Sequence, residues 1–220
     1  WLKSLLFIPL LVFSQIFGAL VLLLLGYDLT EISSNVMNES VMIVFEYSGL
    51  VIVMILIWLF MKFIDKQPLI EIGFQTQGRS KEINYGILFG LFIMAFAFVF
   101  LSAIGEIVFL SYSLDFNQIL LSIALFIGVS FFEEIIFRGY MLKNLLESFN
   151  PFVALLISSL FFSLIHASNP NVTSLGLCNI FLAGIFLGVS YVFTKNLWFP
   201  IALHFSWNFF QAMFGFKVSG

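Results

Sequence analysis

Two histidines and one cysteine are all the imidazole and thiol that this 220-residue sequence contains. Cys178 stands alone inside an apolar run, so there is no disulfide framework and no thiolate metal site; it is expected to be a buried small hydrophobe. Charge is equally scarce, at 10% of residues with a net charge of -3, and there is no basic stripe, which excludes a nucleic-acid partner. No internal repeat or low-complexity tract occurs, and the loops are too short for a second domain. What is abundant is apolar: 61% of the residues are hydrophobic and 31 are phenylalanine, the composition of a membrane protein whose first partner is the lipid bilayer.

Spans of about 20 residues are needed to cross a bilayer, and seven candidate helices fit: roughly 4 to 25, 41 to 61, 84 to 105, 119 to 137, 151 to 167, 175 to 194 and 199 to 217. The first of these is too long for a signal-peptide core and lacks a small-residue cleavage site, so it is read as a mature span. The expected fold is an all-α, polytopic transmembrane bundle forming one domain over residues 1–220, with a catalytic core at about 119–218. Asn150 before Pro151 and Phe199 before Pro200 place proline where a first helical turn tolerates it. Gly86-x-x-x-Gly90 and Gly184-x-x-x-Gly188 read as small-residue faces for close helix packing.

The cations are placed asymmetrically. Lys3, then Lys62, Lys66, Arg79 and Lys81, then Arg138 and Lys143, then Lys195 fall in alternate connections, whereas 26–40, 106–118 and 167–174 contain no Lys or Arg. The positive-inside rule then puts the N-terminus in the cytoplasm and the C-terminus outside, with Lys217 as the misfit.

Polar residues interrupt the apolar pattern at three places. Glu133-Glu134-Ile-Ile-Phe-Arg138 closes the fourth candidate helix, Phe162-Ser-Leu-Ile-His166 the fifth, and His204-Phe-Ser-Trp-Asn208 lies inside the seventh. An acidic residue at the centre of a span costs about 2.5 to 3.5 kcal/mol, so an adjacent pair is a functional hypothesis by default. Two adjacent carboxylates need a cation, and Arg138 is the candidate partner. The spacing of four puts His204 and Asn208 on one helical face. A buried carboxylate is a usable general base for water, and a His-Asn pair suits an oxyanion. Glu133, His166 and His204 are also a possible zinc donor set, although the histidines lie on different helices and no His-Glu-x-x-His occurs. Glu46 has no motif around it and reads as a packing residue.

Glu-Glu-x-x-x-Arg, Phe-x-x-x-His and His-x-x-x-Asn, in this order over about residues 119 to 210, resemble the CPBP family: CAAX proteases and bacteriocin-processing enzymes, also called the Abi family. Pro68-Leu-Ile-Glu-Ile-Gly-Phe74 resembles a loop common in these proteins. The resemblance implies an intramembrane endopeptidase of the Ras-converting-enzyme type, acting on a prenylated CAAX tail or another membrane-associated peptide. It implies that Glu133 activates water with His166, that His204 and Asn208 form the oxyanion hole, and that Glu134 and Arg138 support the site. No cofactor is favoured, with zinc as the possible one. A proton-coupled transporter or ion pathway using the same Glu and His residues is the alternative, as is a non-catalytic immunity protein; Asn208, which cannot titrate, speaks against the relay.

Two expectations concern geometry. The four residues Glu133, His166, His204 and Asn208 should converge on one cavity opening toward the cytoplasm. With a fourth helix ending at 137, Glu133 and His166 would differ in depth by well over about 10 Å. That helix is therefore expected to run on to about Leu146, because Tyr140, Met141, Leu145 and Leu146 keep a helical apolar spacing.

Overall fold

A computed structural model describes residues 1–27, 38–111, 115–169 and 172–218, and the described residues are helical without a strand. Parts of the cation-free connections expected at 26–40, 106–118 and 167–174 lie outside the described residues. Among the described residues six helices are long and apolar enough to cross a membrane: α1 Leu2–Leu24, α2 Glu39–Asp65, α3 Ser80–Ala103, α4 Phe116–Leu146, α5 Pro151–Ser168 and α6 Ser174–Thr194. The seventh, α7 Trp198–Met213, has 16 residues, fewer than the about 20 that a 30 Å hydrocarbon core requires. The chain is thus an integral, multi-pass helical bundle, with α7 ending short of the expected 217.

Helix starts follow side-chain chemistry. Asp115 accepts from the amides of Asn117 and Gln118 at the head of α4, and Asn150 accepts from Val153 N ahead of Pro151 in α5. Thr173 Oγ1 accepts from Gly176 N at the head of α6. Each cap satisfies an amide that the first turn leaves without a partner.

Helix α4 does run to Leu146, and its stretch Ile135–Leu142 is wound as a π-helix in which all eight residues are buried. The extension removes the depth conflict. Glu133 now lies 13 residues, about 20 Å at 1.5 Å per residue, from the end of α4, and His166 about 22 Å from the start of α5 at the same end of the bundle.

Both glycine pairs pack helix on helix. A methyl at Gly86 would sit 2.8 Å from Ala202 Cβ, and one at Gly90 2.6 Å from Ser206 Oγ, so α3 and α7 touch almost backbone to backbone. Gly184 and Gly188 do the same for α6, against Ser159 and Leu155 of α5. Ser206 Oγ donates to Ile87 O, closing the α3–α7 seam with a polar bond. Cys178 departs from expectation: it is exposed on α6. The inward side of that helix is taken by Gly184, Leu187, Gly188 and Tyr191. On a lipid-facing surface an apolar side chain costs nothing, so apolarity alone did not imply burial.

The Pro68-to-Phe74 stretch is a buried wedge. Ile72 is fully buried, its carbonyl accepts from Tyr191 Oη, and Gly73 O accepts from Leu197 N at the start of α7. Gly73 has φ +122, and a Cβ there would lie 3.0 Å from Leu197 N, so only glycine fits this approach. Asn196 Nδ2 and Trp198 Nε1 both donate to Gln75 O. The loop thereby fixes the entry of the helix that carries His204 and Asn208.

Candidate active site

Successive residues on a helix point about 100° apart, and this separates the two adjacent carboxylates. Glu134 turns into the bundle and is fully buried, whereas Glu133 retains 15% side-chain exposure and lines a cavity of about 880 Å³. Arg138, 1% exposed, is one turn on from Glu134 and donates to its Oε1 over 2.8 Å. Arg138, expected as the cation for the two adjacent carboxylates, is paired with Glu134. The guanidinium also donates to Gly184 O at 3.1 Å and stands over the Phe162 ring at 4.3 Å. These contacts replace the hydration that a buried cation loses.

His204 reaches this pair from α7, with Nδ1 2.8 Å from Glu134 Oε1. His166 sits where α5 tightens into its terminal 3-10 turn, with Nδ1 2.7 Å from Phe162 O. Each imidazole is therefore oriented through Nδ1, and each presents Nε2 to the remaining carboxylate. His166 Nε2 lies 3.7 Å from Glu133 Oε1 and His204 Nε2 3.8 Å from Glu133 Oε2. The Phe162 ring packs beside both, at centroid distances of 5.0 Å and 6.2 Å. Asn208, half-buried, lines the same cavity one turn beyond His204.

All four expected residues thus border one cavity, with Glu134 and Arg138 behind its wall. The cavity continues from Glu133 past Asn169, Val172 and Thr173 to Phe216, Lys217 and Val218, which follow α7. These residues lie at the end of the bundle opposite Lys62, Lys66, Lys143 and Lys195.

The sequence named Phe162 only as a motif position and Glu46 only as a packing residue, and it did not single out the Gly184 carbonyl. Phe162 gives both its ring and its carbonyl, Gly184 gives the carbonyl that Arg138 needs, and Glu46 of α2 lies within electrostatic reach of Glu133. Only Phe162 carried a local signal, four residues before His166 on the same face. Among the described residues no group of three or more His, Cys, Asp or Glu is gathered as a metal ion would require.

No curated protein and no solved structure matches the chain. A family model does, over the stretch that carries Glu133, Glu134, Arg138, His166, His204 and Asn208: residues 115–210 match the model of the Rce1-like type II CAAX prenyl endopeptidases.

Proposed function

We propose that the chain is an intramembrane endopeptidase in which Glu133 is the general base for a water molecule, with His166 sharing the proton. The observation that carries this reading is the Glu133 carboxylate flanked by two Nε2 atoms at 3.7 and 3.8 Å on the cavity wall. Such separations exceed a direct hydrogen bond and suit a single bridging water oxygen.

Glu133 takes a proton as the water oxygen bonds to the scissile carbonyl carbon, and the carbonyl electron pair moves onto oxygen. His204 and Asn208 donate to that oxyanion. The proton held by Glu133 then passes to the departing amine as the C–N bond breaks. The second-layer bonds constrain the histidines. A carbonyl only accepts, so His166 carries hydrogen on Nδ1; His204 likewise gives its Nδ1 hydrogen to Glu134. For His204 to donate from Nε2 as well, both of its ring nitrogens must carry hydrogen.

The reading needs no metal. If zinc were bound, Glu133, His166 and His204 would be the residues to hold it and it would supply a Lewis acid for the water. The proton-relay alternative leaves Asn208 on the cavity without a task. For orientation, the positive-inside count is kept and the mouth is assigned to the side of the membrane away from the cation-rich connections. The substrate is a membrane-associated peptide entering from that mouth, with a prenylated CAAX tail as the candidate the family name supplies.

The test is a cleavage assay with purified protein in nanodiscs against prenylated and unprenylated CAAX-tail peptides and leader peptides, read by mass spectrometry. Cleavage at one internal bond is expected. Proton flux in vesicles without cleavage of any peptide would replace this reading with the relay.

A further inference from the structure

We infer that the cation-rich end of the bundle holds a binding site for the phosphate headgroup of an anionic phospholipid, formed by Lys62 and Lys66 on the rim of a cavity separate from the proteolytic one. This cavity has a volume of about 450 Å³ and is lined by Trp58, Lys62, Lys66, Gln67, Pro68 and Leu69. It is independent of the reading of Glu133 as a base.

Charge complementarity selects the occupant. Among the described residues three carboxylates at this end are engaged elsewhere, Asp65 with Lys3, Glu82 with Arg79 and Glu147 with Lys143, while Glu71 is exposed in the segment that follows and pairs with neither Lys62 nor Lys66. Among the described residues no ion pair is formed by Lys62 or Lys66. Lys62 lies 4.9 Å from the centroid of the Trp58 ring and 5.3 Å from that of Phe63, which places its ammonium against aromatic faces and leaves its donors for an anion. Gln67 Oε1 accepts from Lys143 Nζ at 2.8 Å; because lysine only donates, the amide orientation is fixed and Gln67 keeps its NH2 as a further donor. Lys66 itself holds a left-handed conformation, φ 56 and ψ 38, that glycine would adopt with less strain.

Location selects lipid over a free ion. Trp58, Phe63, Ile64 and Ile70 are exposed around the site, so an acyl chain finds apolar surface beside the cations. Tryptophan followed one turn later by lysine at the end of a span is the signature of the headgroup region. The next residues of the same segment, Ile72 to Gln75, hold the start of α7, so headgroup binding would brace the loop that positions His204 and Asn208.

The experiment compares wild type with Lys62→Gln/Lys66→Gln, each purified from vesicles of equal phosphatidylcholine and phosphatidylglycerol and examined by native mass spectrometry. Thermal melts with added phosphatidylglycerol, phosphatidylcholine or inorganic phosphate accompany it. Two lysines near a membrane surface favour anionic lipid by about 30-fold, so wild type should retain phosphatidylglycerol over phosphatidylcholine by that order and the double variant should lose the preference. Phosphatidylglycerol alone should raise the melting temperature of wild type. Equal retention of the two lipids, an unchanged preference in the variant, or stabilisation by inorganic phosphate matching that by phosphatidylglycerol would each overturn the inference. Both residues are exposed, and an unchanged melt of the variant in phosphatidylcholine verifies its fold.

Discussion

Glu134 accepts from His204 Nδ1 across 2.8 Å, joining a buried carboxylate of α4 to the imidazole of α7 over 70 residues of chain. The same Oε1 also accepts from Arg138, so one oxygen ties the π-wound part of α4 to the helix that carries the proposed oxyanion donors. Of two adjacent glutamates, one thus faces the cavity and the other organises its wall, and their substitutions are expected to differ in kind.

Glu133→Gln keeps shape and removes the base. Peptide cleavage should fall below detection, while the melting temperature in detergent stays within a few degrees, because Glu133 makes no ion pair with Arg138. Wild-type turnover in this variant would move the base to another group, Glu134 being the nearest.

Glu134→Gln should act on stability first. It leaves the guanidinium of Arg138 buried without its counter-charge, a loss of about 3 to 5 kcal/mol. Adding Arg138→Met should recover much of the melting temperature without restoring cleavage, since His204 still lacks its carboxylate. Recovery of both would show that Glu134 serves Arg138 only.

Asn208→Ala removes one donor to the developing oxyanion. Turnover should drop about 100-fold to 1000-fold with little change in KM. A rise in KM at constant turnover would reassign Asn208 to substrate binding.

Gly90→Ala drives a methyl to within 2.6 Å of Ser206 Oγ and 2.8 Å of Trp207 N, a backbone atom that cannot swing aside. The α3–α7 seam must open, at about 1 to 3 kcal/mol, and the melting temperature should fall accordingly. Gly49→Ala, whose nearest neighbour is an ordinary contact at 3.4 Å, is the control that should change little.

Exhaustive chelation should leave cleavage intact, and elemental analysis should find well below one zinc per chain. Activity lost on chelation and restored by zinc would make Glu133, His166 and His204 ligands.

Much of this architecture was legible in the residues. Long apolar runs punctuated by Asn150-Pro151 fix where helices form, because lipid leaves no other way to satisfy a spanning backbone. The continuation of α4 to Leu146 was readable from the spacing of Tyr140, Met141, Leu145 and Leu146. The cost of placing Glu133, His166, His204 and Asn208 in such runs marked them as one site, and Gly90 and Gly184 announced close helix contacts.

What the chain alone did not determine depends on helices far apart in sequence. Which glutamate takes Arg138 follows from the rotation of α4 and its π-winding, in which Ile135–Leu142 are all buried. The bond from Glu134 to His204 and that from Arg138 to Gly184 depend on how close α6 and α7 come, which their packed glycines allow. The extent of the cavity likewise depends on where α5 ends and α6 begins, at Asn169 and Thr173. Local sequence carries helix formation and desolvation cost, because both are properties of one segment in lipid. Partner choice between segments is a matter of relative depth and rotation, and only the packed bundle decides it.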